Sequence, residues 1–367
     1  MPYIITFLSF AYIGYLVFEK VYNSLIRKSF KHIIHVNGTR GKSTTTRLIV
    51  AGLRNCGYKV FGKTTGTIPM MINTSNEQVQ IKRLGLANIR EQLKMMRKAY
   101  REKADILVIE CMAVSPKIQL LSQEKILNAD INIITNVLHD HLKEMGNTLD
   151  EIALALSNTI PKSGHLIVGD DEFNHIYQEK ITNDETIIHV AKPYLGDDNL
   201  GTFPSNIAIA LEVARILNLD LEQYFEGMKS YYRDPAAFSI HQLNDTIFMN
   251  GFSINDPDSI KLNYDLICEK YLAQDITILL NVRDDRPSRT IQHIEMLKTM
   301  TFKKLIITGT NLAYIKRKLK KTNIFIEKYQ KLSDLEKEEI IFAIGNFAND
   351  GQKILDYFRE KGVEING

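Results

Sequence analysis

A glycine-containing loop with a lysine and a serine follows the first apolar, strand-like run of the chain. The loop consists of Asn37, Gly38, Thr39, Arg40, Gly41, Lys42, Ser43 and Thr44, and helical periodicity follows. In such a loop, backbone N–H groups and the positive end of the helix bind polyphosphate. Lys42 reaches the β and γ phosphates, and the Ser43 hydroxyl can bind Mg²⁺. The pattern predicts ATP binding, although Val36 replaces the first glycine of the full P-loop pattern; a serine-capped glycine turn is the alternative.

Polar side chains end the next two apolar runs. Glu110 ends one run, and Asn136 ends the other, just before His139, Asp140 and His141. Ligands bind at the carboxyl ends of strands in open α/β sheets, so Glu110 is a candidate ligand of the nucleotide metal. Asp140 and His141 are expected to face that metal or the transferred phosphoryl group. A capping or surface role for Glu110 and a solvated loop at 139–141 are the alternatives; zinc would need a third ligand that the spacing does not supply.

Short β-branched runs alternate with longer amphipathic stretches along the chain. The runs lie at 32–36, 105–110, 130–136, 165–169, 246–250, 275–282, 303–309 and 339–346. This alternation predicts two α/β units with parallel sheets covered by helices. Helical spacing over 205–231 ends before the Asp234-Pro235 break, where we place the boundary between the units.

The first residues of the chain are apolar. Residues 2–18 carry no charge, and about 17 residues is the lower limit for a helix that crosses a bilayer. Lys20, Arg27, Lys28 and Lys31 come after this run, and no positive segment comes before it. The positive-inside bias therefore predicts a single uncleaved anchor with the rest of the chain in the cytoplasm. A helix buried against the globular body is the alternative.

The composition excludes several classes of protein. The 367 residues are 44% hydrophobic and 24% charged, which is ordinary for a globular protein and excludes a small disulfide-stapled module. Cys56, Cys111 and Cys268 form no CxxC pair, so a reduced compartment is expected. The net charge of +3 does not predict a nucleic acid partner. The basic segments 82–103 and 316–321 lack regularly interleaved aromatic residues and are interpreted as solvated helix faces.

The loop at 38–43, Glu110 and the TNVLHDHL run at 135–142 resemble the ATP-binding domain of Mur-type amide ligases. The whole chain is similar to the membrane-anchored ligase subunits of poly-γ-glutamate synthases, known as PgsB or CapB. Further motifs of this resemblance lie at 62–67, 110–116, 203–206, 250–256, 281–290 and 343–346. The resemblance implies a Mur-ligase-like P-loop domain with a parallel sheet, followed by a Rossmann-like α/β domain. The expected parts are an anchor over 1–31, an ATP-binding domain over 32–234 and a substrate domain over 235–367.

The resemblance also implies a reaction. Such ligases phosphorylate a carboxylate with ATP and let an amine attack the acyl phosphate, which releases ADP and phosphate. By this analogy Lys42 neutralises charge on the phosphates, and Ser43, Glu110 and His141 bind Mg²⁺ or Mn²⁺. Asn206 matches the second asparagine of the Mur HNxxN pattern and is expected to contact the nucleotide.

Residues of the second half are expected to bring substrate to the nucleotide. Arg283, Arg286 and Arg289 follow a predicted strand and are candidates for gripping the carboxylates of glutamate or of the growing polymer. The alternative is a charged loop in which Asp284 and Asp285 pair with these arginines.

Asp256 lies in a stretch that resembles the aspartate-bearing loop of the Mur C-terminal domain. It is therefore a candidate catalytic residue near the ribose or the attacking amine. The alternative is that it caps the helix that starts at Pro257.

Two features depart from the Mur pattern. Ser157 stands where many Mur ligases have a carbamylated lysine for a second metal, so a second metal site is not implied. The N-terminal domain with which Mur enzymes hold a nucleotide-linked precursor is also missing, since the apolar run leads almost directly into the phosphate loop.

The interpretation is a single-pass, membrane-anchored ligase that adds glutamate to a poly-γ-glutamate chain. The resemblance implies small integral membrane subunits as partners, and a homo-oligomer is left open. The alternatives are another Mur-type or folylpolyglutamate-like ligase, and a P-loop ATPase that is not a ligase.

Overall fold

The computed structural model describes residues 2–66, 68–83, 85, 87–181, 185–196, 200–234, 236–254, 257–283 and 287–365. By internal packing the chain forms two compact units, Met1–Asp234 and Pro235–Gly367. Each unit has its own sheet and its own apolar core. The α/β class predicted from the sequence is confirmed.

The first unit is built on an eight-stranded sheet. Its strands are β1 (His32–Asn37), β2 (Val60–Thr64), β3 (Met70–Ile72), β4 (Gln78–Gln80), β5 (Ile106–Glu110), β6 (Ile131–Ile134), β7 (Gly164–Val168) and β8 (Thr186–Val190). Their order is β4-β3-β2-β5-β1-β6-β7-β8, with β3 antiparallel to both of its neighbours and all other pairs parallel. Strand β1 lies between β5 and β6, so the loop that follows it opens beside the ends of both neighbours. This is the edge of an open α/β sheet where ligands bind.

Helices cover the sheet of the first unit. They are α1 (Pro2–Ser29), α2 (Lys42–Asn55), α3 (Arg90–Arg101), α4 (Pro116–Leu121), α5 (Leu142–Met145), α6 (Leu149–Leu156), α7 (Asn174–Lys180), α8 (Pro204–Ile216) and α9 (Leu221–Met228). A π-helical turn, Ser122–Leu127, continues α4. The segment 205–231 with helical spacing thus holds two helices, because Asn218 adopts a left-handed conformation and Asp220 caps α9.

Helix α1 is exposed over its apolar part. Tyr3–Ser29 contains a stretch with mean hydropathy 1.5, none of which is buried, so the helix is long and apolar enough to cross a membrane. Its C-terminal end packs on α3, where Ile26 and Phe30 are buried with Met95 and Met96. Helix α1 is therefore attached to the unit at one end only, within the part of the chain that the structure describes.

The second unit is built on a seven-stranded sheet. Its strands are β9 (Ser239–Leu243), β10 (Thr246–Asn250), β11 (Ile276–Val282), β12 (Lys304–Gly309), β13 (Ile326–Lys328), β14 (Ile340–Gly345) and β15 (Val363–Ile365). The order is β13-β12-β11-β14-β10-β9-β15, with β9 antiparallel to both of its neighbours. Its helices are α10 (Pro257–Cys268), α11 (Pro287–Leu297), α12 (Leu312–Leu319), α13 (Leu332–Leu335) and α14 (Asp350–Lys361).

All eight predicted runs form strands, and the sequence analysis missed seven others. The missed strands are β2, β3, β4, β8, β9, β13 and β15. Four of them (β4, β8, β13 and β15) lie at the edges of the sheets, and four (β3, β4, β13 and β15) have only three residues. Such strands bury too few side chains to give a clear apolar pattern.

Candidate active site

The phosphate loop is shaped by the residues that follow β6. The Thr135 hydroxyl donates to the Arg40 carbonyl oxygen at 2.5 Å. Asn136 Oδ1 accepts hydrogen bonds from the Arg40 N–H at 2.9 Å and from the Thr39 hydroxyl at 2.6 Å. Gly38 has φ +123°, and a Cβ at this position would collide with Thr135. The loop therefore holds its shape through side chains of a neighbouring strand end.

The N-terminus of α2 faces the loop without a capping side chain among the described residues. Gly41 occupies the N-cap position with φ +78°, a conformation that favours glycine. A Cβ on Gly41 would collide with the Asn206 side chain, whose amide donates to Thr202 at 2.9 Å and accepts from Thr45 at 3.3 Å. An uncapped helix N-terminus offers N–H groups and positive dipole to an anion.

Lys42 folds back over the loop. Its Nζ donates to the carbonyl oxygens of Gly38 at 2.6 Å and Thr39 at 3.0 Å. Burial lowers the pKa of Lys42, and the negative charges of Glu110 and Asp140 oppose that shift. The ammonium group is thus held inside the loop, close to two carboxylates.

Glu110 binds the first turn of α2. Its Oε2 accepts from the Ser43 hydroxyl at 2.7 Å and from the backbone N–H of Thr65 at 2.7 Å. Glu110 is buried, and its Oε1 accepts no hydrogen bond from the described residues. A buried carboxylate oxygen beside a serine hydroxyl supplies oxygen donors of the kind that Mg²⁺ prefers, so these two residues would be able to hold such an ion. The donor set is therefore compatible with the predicted metal.

Asp140 and His141 lie on the other side of the loop. Asp140 forms an ion pair with Arg40 at 3.5 Å, and it accepts the backbone N–H of His141 at 2.9 Å. His141 adopts a left-handed conformation with φ 50° at the start of α5. No group of three or more His, Cys, Asp or Glu side chains suited to a metal occurs among the residues described. The structure joins Ser43 to Glu110 but does not complete a three-ligand cluster with His141.

Asn37 contributes to the site through packing below the loop. Its amide donates to Gln119 at 2.8 Å and to Thr159 at 3.2 Å. The Asn37 side chain therefore supports the loop from the protein interior.

Two other residues of the sequence analysis have simple positions. Ser157, which stands where many Mur ligases have a carbamylated lysine, is buried, and its hydroxyl donates to the Leu154 carbonyl oxygen. Thr44 lies in the first turn of α2.

A buried ion pair behind the site was missed by the sequence analysis. Lys63, in β2, is completely buried, and its Nζ lies 3.1 Å from Glu91 of α3. Arg83 also binds Glu91, at 2.6 Å and 2.9 Å. Next to Glu91, Gln92 donates to the Glu110 carbonyl oxygen at 3.4 Å. The lysine itself, within the run of residues 60–64, is the only local signal, because its partners lie further along the chain.

The candidate substrate residues lie in the second unit. Arg283 and Arg289 line a small cavity of about 20 Å³ together with Asn281, Thr290 and His293. A cavity of this size has room for about one water molecule and none for an amino acid. Two further candidates, Arg286 and Asp256, lie outside the described residues.

Two family models match the chain. The Mur ligase middle domain matches residues 36–193, and the C-terminal domain of the poly-gamma-glutamate synthase CapB matches residues 237–361. PGA synthase CapB of Bacillus subtilis is 35% identical over 90% of this chain and 91% of its own length. The capsule biosynthesis protein CapB of Bacillus anthracis is 33% identical over 90% of this chain and 77% of its own.

Solved structures share the fold. A folylpolyglutamate synthase from Thermotoga maritima has a TM-score of 0.61 at 15% identity, covering 96% of each chain. A bifunctional folylpolyglutamate synthase/dihydrofolate synthase from Yersinia pestis, solved with AMPPNP and a manganese ion, has a TM-score of 0.65 at 13% identity, covering 92% of this chain and 90% of its own. MurF from Acinetobacter baumannii has a TM-score of 0.60 at 15% identity, covering 92% of this chain and 79% of its own. The predicted Mur-ligase-like fold is thereby confirmed.

Proposed function

The chain belongs to the CapB family of poly-γ-glutamate synthases, and from that premise we propose that it joins glutamate units through their γ-carboxyl groups. It is an ATP-dependent amide ligase. The observation that carries the proposal is the direct contact between Ser43 of the phosphate loop and the buried carboxylate of Glu110. This contact puts a metal-binding oxygen beside the loop that fits a triphosphate.

The loop residues stabilise the charge that moves during phosphoryl transfer. A γ-carboxylate oxygen attacks the γ-phosphorus of ATP, and the bond from that phosphorus to the bridging oxygen breaks, so ADP leaves. We assign Lys42, whose ammonium group donates to the Gly38 carbonyl oxygen in the structure, and the uncapped N-terminus of α2 to the phosphate oxygens. We assign Ser43, Glu110 and His141 as the residues that would hold Mg²⁺, which supplies positive charge against the β and γ phosphates when bound.

Amide formation completes the reaction. The nitrogen of an incoming amine attacks the acyl carbon, the carbon–oxygen bond to phosphate breaks, and the amine loses a proton. We assign Arg283, Arg286 and Arg289 to the carboxylates of glutamate or of the polymer, and Asp256 to the region of the amine. Support for the first role is that Arg283 and Arg289 lie together at one small cavity, which would have to widen to admit a carboxylate.

The exposed apolar helix α1 supports membrane attachment. We propose that it crosses the membrane once, with both α/β units in the cytoplasm and with small integral membrane proteins as partners. A helix of 28 residues is about 42 Å long, whereas the hydrocarbon core is about 30 Å thick. The C-terminal part of α1 that packs on α3 therefore lies outside the hydrocarbon core.

Hydroxylamine trapping tests the proposed function. Membranes that contain the chain are incubated with ATP, Mg²⁺, hydroxylamine and either D- or L-glutamate. We expect γ-glutamyl hydroxamate to form in step with ADP, and none to form without ATP. ATP hydrolysis without hydroxamate would contradict the ligase assignment. Hydroxamate that forms only when a folate polyglutamate replaces glutamate would show a different acceptor.

A further inference from the structure

Helix α3 has one buried face and one basic face. The buried face consists of Gln92, Met95, Met96 and Ala99. The opposite face carries a row of cations at helical spacing, here called the α3 basic stripe, which consists of Arg90, Lys94, Arg97, Lys98 and Arg101. This row follows the i, i+4, i+7, i+8 and i+11 positions, so it runs along one side of the helix.

The stripe is fixed at the place where the apolar part of α1 ends. Glu19 directly follows the apolar run and binds Arg90 at 3.2 Å and Arg97 at 2.8 Å. Arg97 also donates to Asn23 at 3.0 Å. The distance along α1 from Pro2 to Glu19 is about 26 Å, close to the thickness of the hydrocarbon core. The contacts of Glu19 with Arg90 and Arg97 therefore hold α3 at the depth of the lipid headgroups if α1 crosses the membrane.

Positive charge is concentrated in the two segments that contain α3 and the C-terminal end of α1. Residues 82–103 carry eight Lys and Arg against two Glu, a net charge of +6. Residues 19–31 carry four against one, a net charge of +3. The whole chain has a net charge of only +3, so the rest of it has a net charge of −6. Lys94 and Arg101 form no ion pair with the residues that the structure describes. A solvated helix face does not explain a segregation of this size.

We infer that the α3 basic stripe binds the anionic lipid headgroups of the leaflet into which α1 inserts, so that the first unit rests on the membrane with α3 against it. The inference depends on the membrane attachment proposed above. Basic residues next to the cytoplasmic end of a membrane helix are attracted to the negative surface of that leaflet. Poly-γ-glutamate is also a polyanion and could attract the same cations. The contacts of Glu19 with Arg90 and Arg97, however, place the α3 basic stripe beside the bilayer.

A single fluorescent reporter can measure this contact in the full chain. The chain has no tryptophan, so Tyr100→Trp, at a position on α3 that is 42% exposed, introduces the only indole. The protein is reconstituted in phosphatidylcholine vesicles with a minor amount of brominated phosphatidylglycerol or brominated phosphatidylcholine. We expect brominated phosphatidylglycerol to quench the indole more strongly, and the difference to shrink as salt is raised.

Charge removal from the stripe gives the decisive variant. In the reporter background, Lys94→Gln with Arg101→Gln is expected to lower the preference for phosphatidylglycerol about 25-fold, since each of the two basic residues at the surface contributes about fivefold. Lys316→Gln with Lys320→Gln removes the same charge from exposed positions in the second unit and should change nothing. Equal quenching by the two lipids, or an unchanged preference in the stripe variant, would overturn the inference.

Two further measurements separate this inference from the proposals on which it depends. Release of the chain by alkaline carbonate would show that α1 does not span the membrane, whereas the lipid preference would still report on the stripe. Added poly-γ-glutamate should leave the quenching unchanged. Loss of the phosphatidylglycerol preference in its presence would show that the stripe binds the polymer, and would overturn the inference.

Discussion

The two candidate binding loops follow central strands of their sheets, but they are held in different ways. In the phosphate loop after β1, the Arg40 carbonyl oxygen accepts from the Thr135 hydroxyl, the Arg40 N–H donates to Asn136, and Ser43 donates to Glu110. At the end of β11 in the second unit, Asn281 instead donates to the carbonyl oxygens of Asn346 at 2.5 Å and Ala348 at 2.9 Å. Those bonds fix the end of β14.

This difference predicts that substitutions in the two loops affect different kinetic constants. A loop whose lysine and proposed metal-binding carboxylate are already held by the fold needs little reorganisation during phosphoryl transfer, so substitutions in it are expected to change kcat. Arginines around a cavity of about 20 Å³ must move apart to admit a carboxylate. Their substitution is therefore expected to change KM for the acid more than kcat.

The largest expected effect comes from the centre of the phosphate loop. Lys42→Ala should lower kcat on the order of a thousandfold, because it removes the ammonium group that we propose neutralises charge on the β and γ phosphates. ADP release in the hydroxamate assay measures the effect, and circular dichroism checks the fold. Lys180→Ala removes an exposed lysine and serves as the control. Retained activity in Lys42→Ala would show that Lys42 does not act in phosphoryl transfer.

A smaller effect is expected at Glu110, the carboxylate that we propose binds the metal. The amide of Glu110→Gln can still accept from Ser43 and Thr65, but it has no negative charge. We expect kcat to fall about a hundredfold and the Mg²⁺ concentration for half-maximal activity to rise at least tenfold.

Binding of Mn²⁺ with a non-hydrolysable ATP analogue, measured by electron paramagnetic resonance, separates metal binding from catalysis. Glu144→Gln, at an exposed position on α5, is the matched control. Unchanged Mn²⁺ affinity in Glu110→Gln would show that this carboxylate only fixes the position of Ser43.

The second unit should show the opposite kinetic pattern. Arg289→Lys keeps the charge but loses the two parallel hydrogen bonds that a guanidinium gives to a carboxylate. We expect KM for glutamate to rise about tenfold while KM for ATP stays within about twofold. Arg317→Lys, on the exposed side of α12, should change neither value. A rise in KM for ATP of the same size would mean that Arg289 does not act on the acid.

Local patterns account for what the sequence could predict. Long apolar runs that end in Glu110 and Asn136 mark buried parallel strands, and the loop that begins at Asn37 follows such a run directly. These features depend on residues that are close in sequence, so the central sheet and the phosphate loop could be located without a structure.

Contacts between distant segments could not be predicted in this way. Lys63 and Glu91 are 28 positions apart, and neither has a local pattern that indicates a buried ion pair. Thr65, which donates its backbone N–H to Glu110, has no side-chain signal for that role. The orientation of Asn37 toward Gln119 depends on how α4 packs, which single-sequence patterns do not encode.

The smallest predicted effect lies in the strand that carries the phosphate loop. His35 in β1 is completely buried and its Nδ1 lies 3.1 Å from Gln123. Burial lowers the pKa of His35 to about 4, the Gln123 hydrogen bond opposes the shift, and Lys63 adds to it. The neutral imidazole therefore contributes stability that is fully present above the unfolded pKa of about 6.5 and is lost as the pH falls toward 4.

Between pH 7.5 and 6.0 the free energy of unfolding should fall by about 0.8 kcal/mol through this group. In His35→Gln this part of the fall should disappear, because glutamine does not titrate. Denaturant unfolding of the full chain at the two pH values measures the difference, with His175→Gln at an exposed position as the control. An equal fall in wild type and His35→Gln would contradict the assignment of this acid sensitivity to His35.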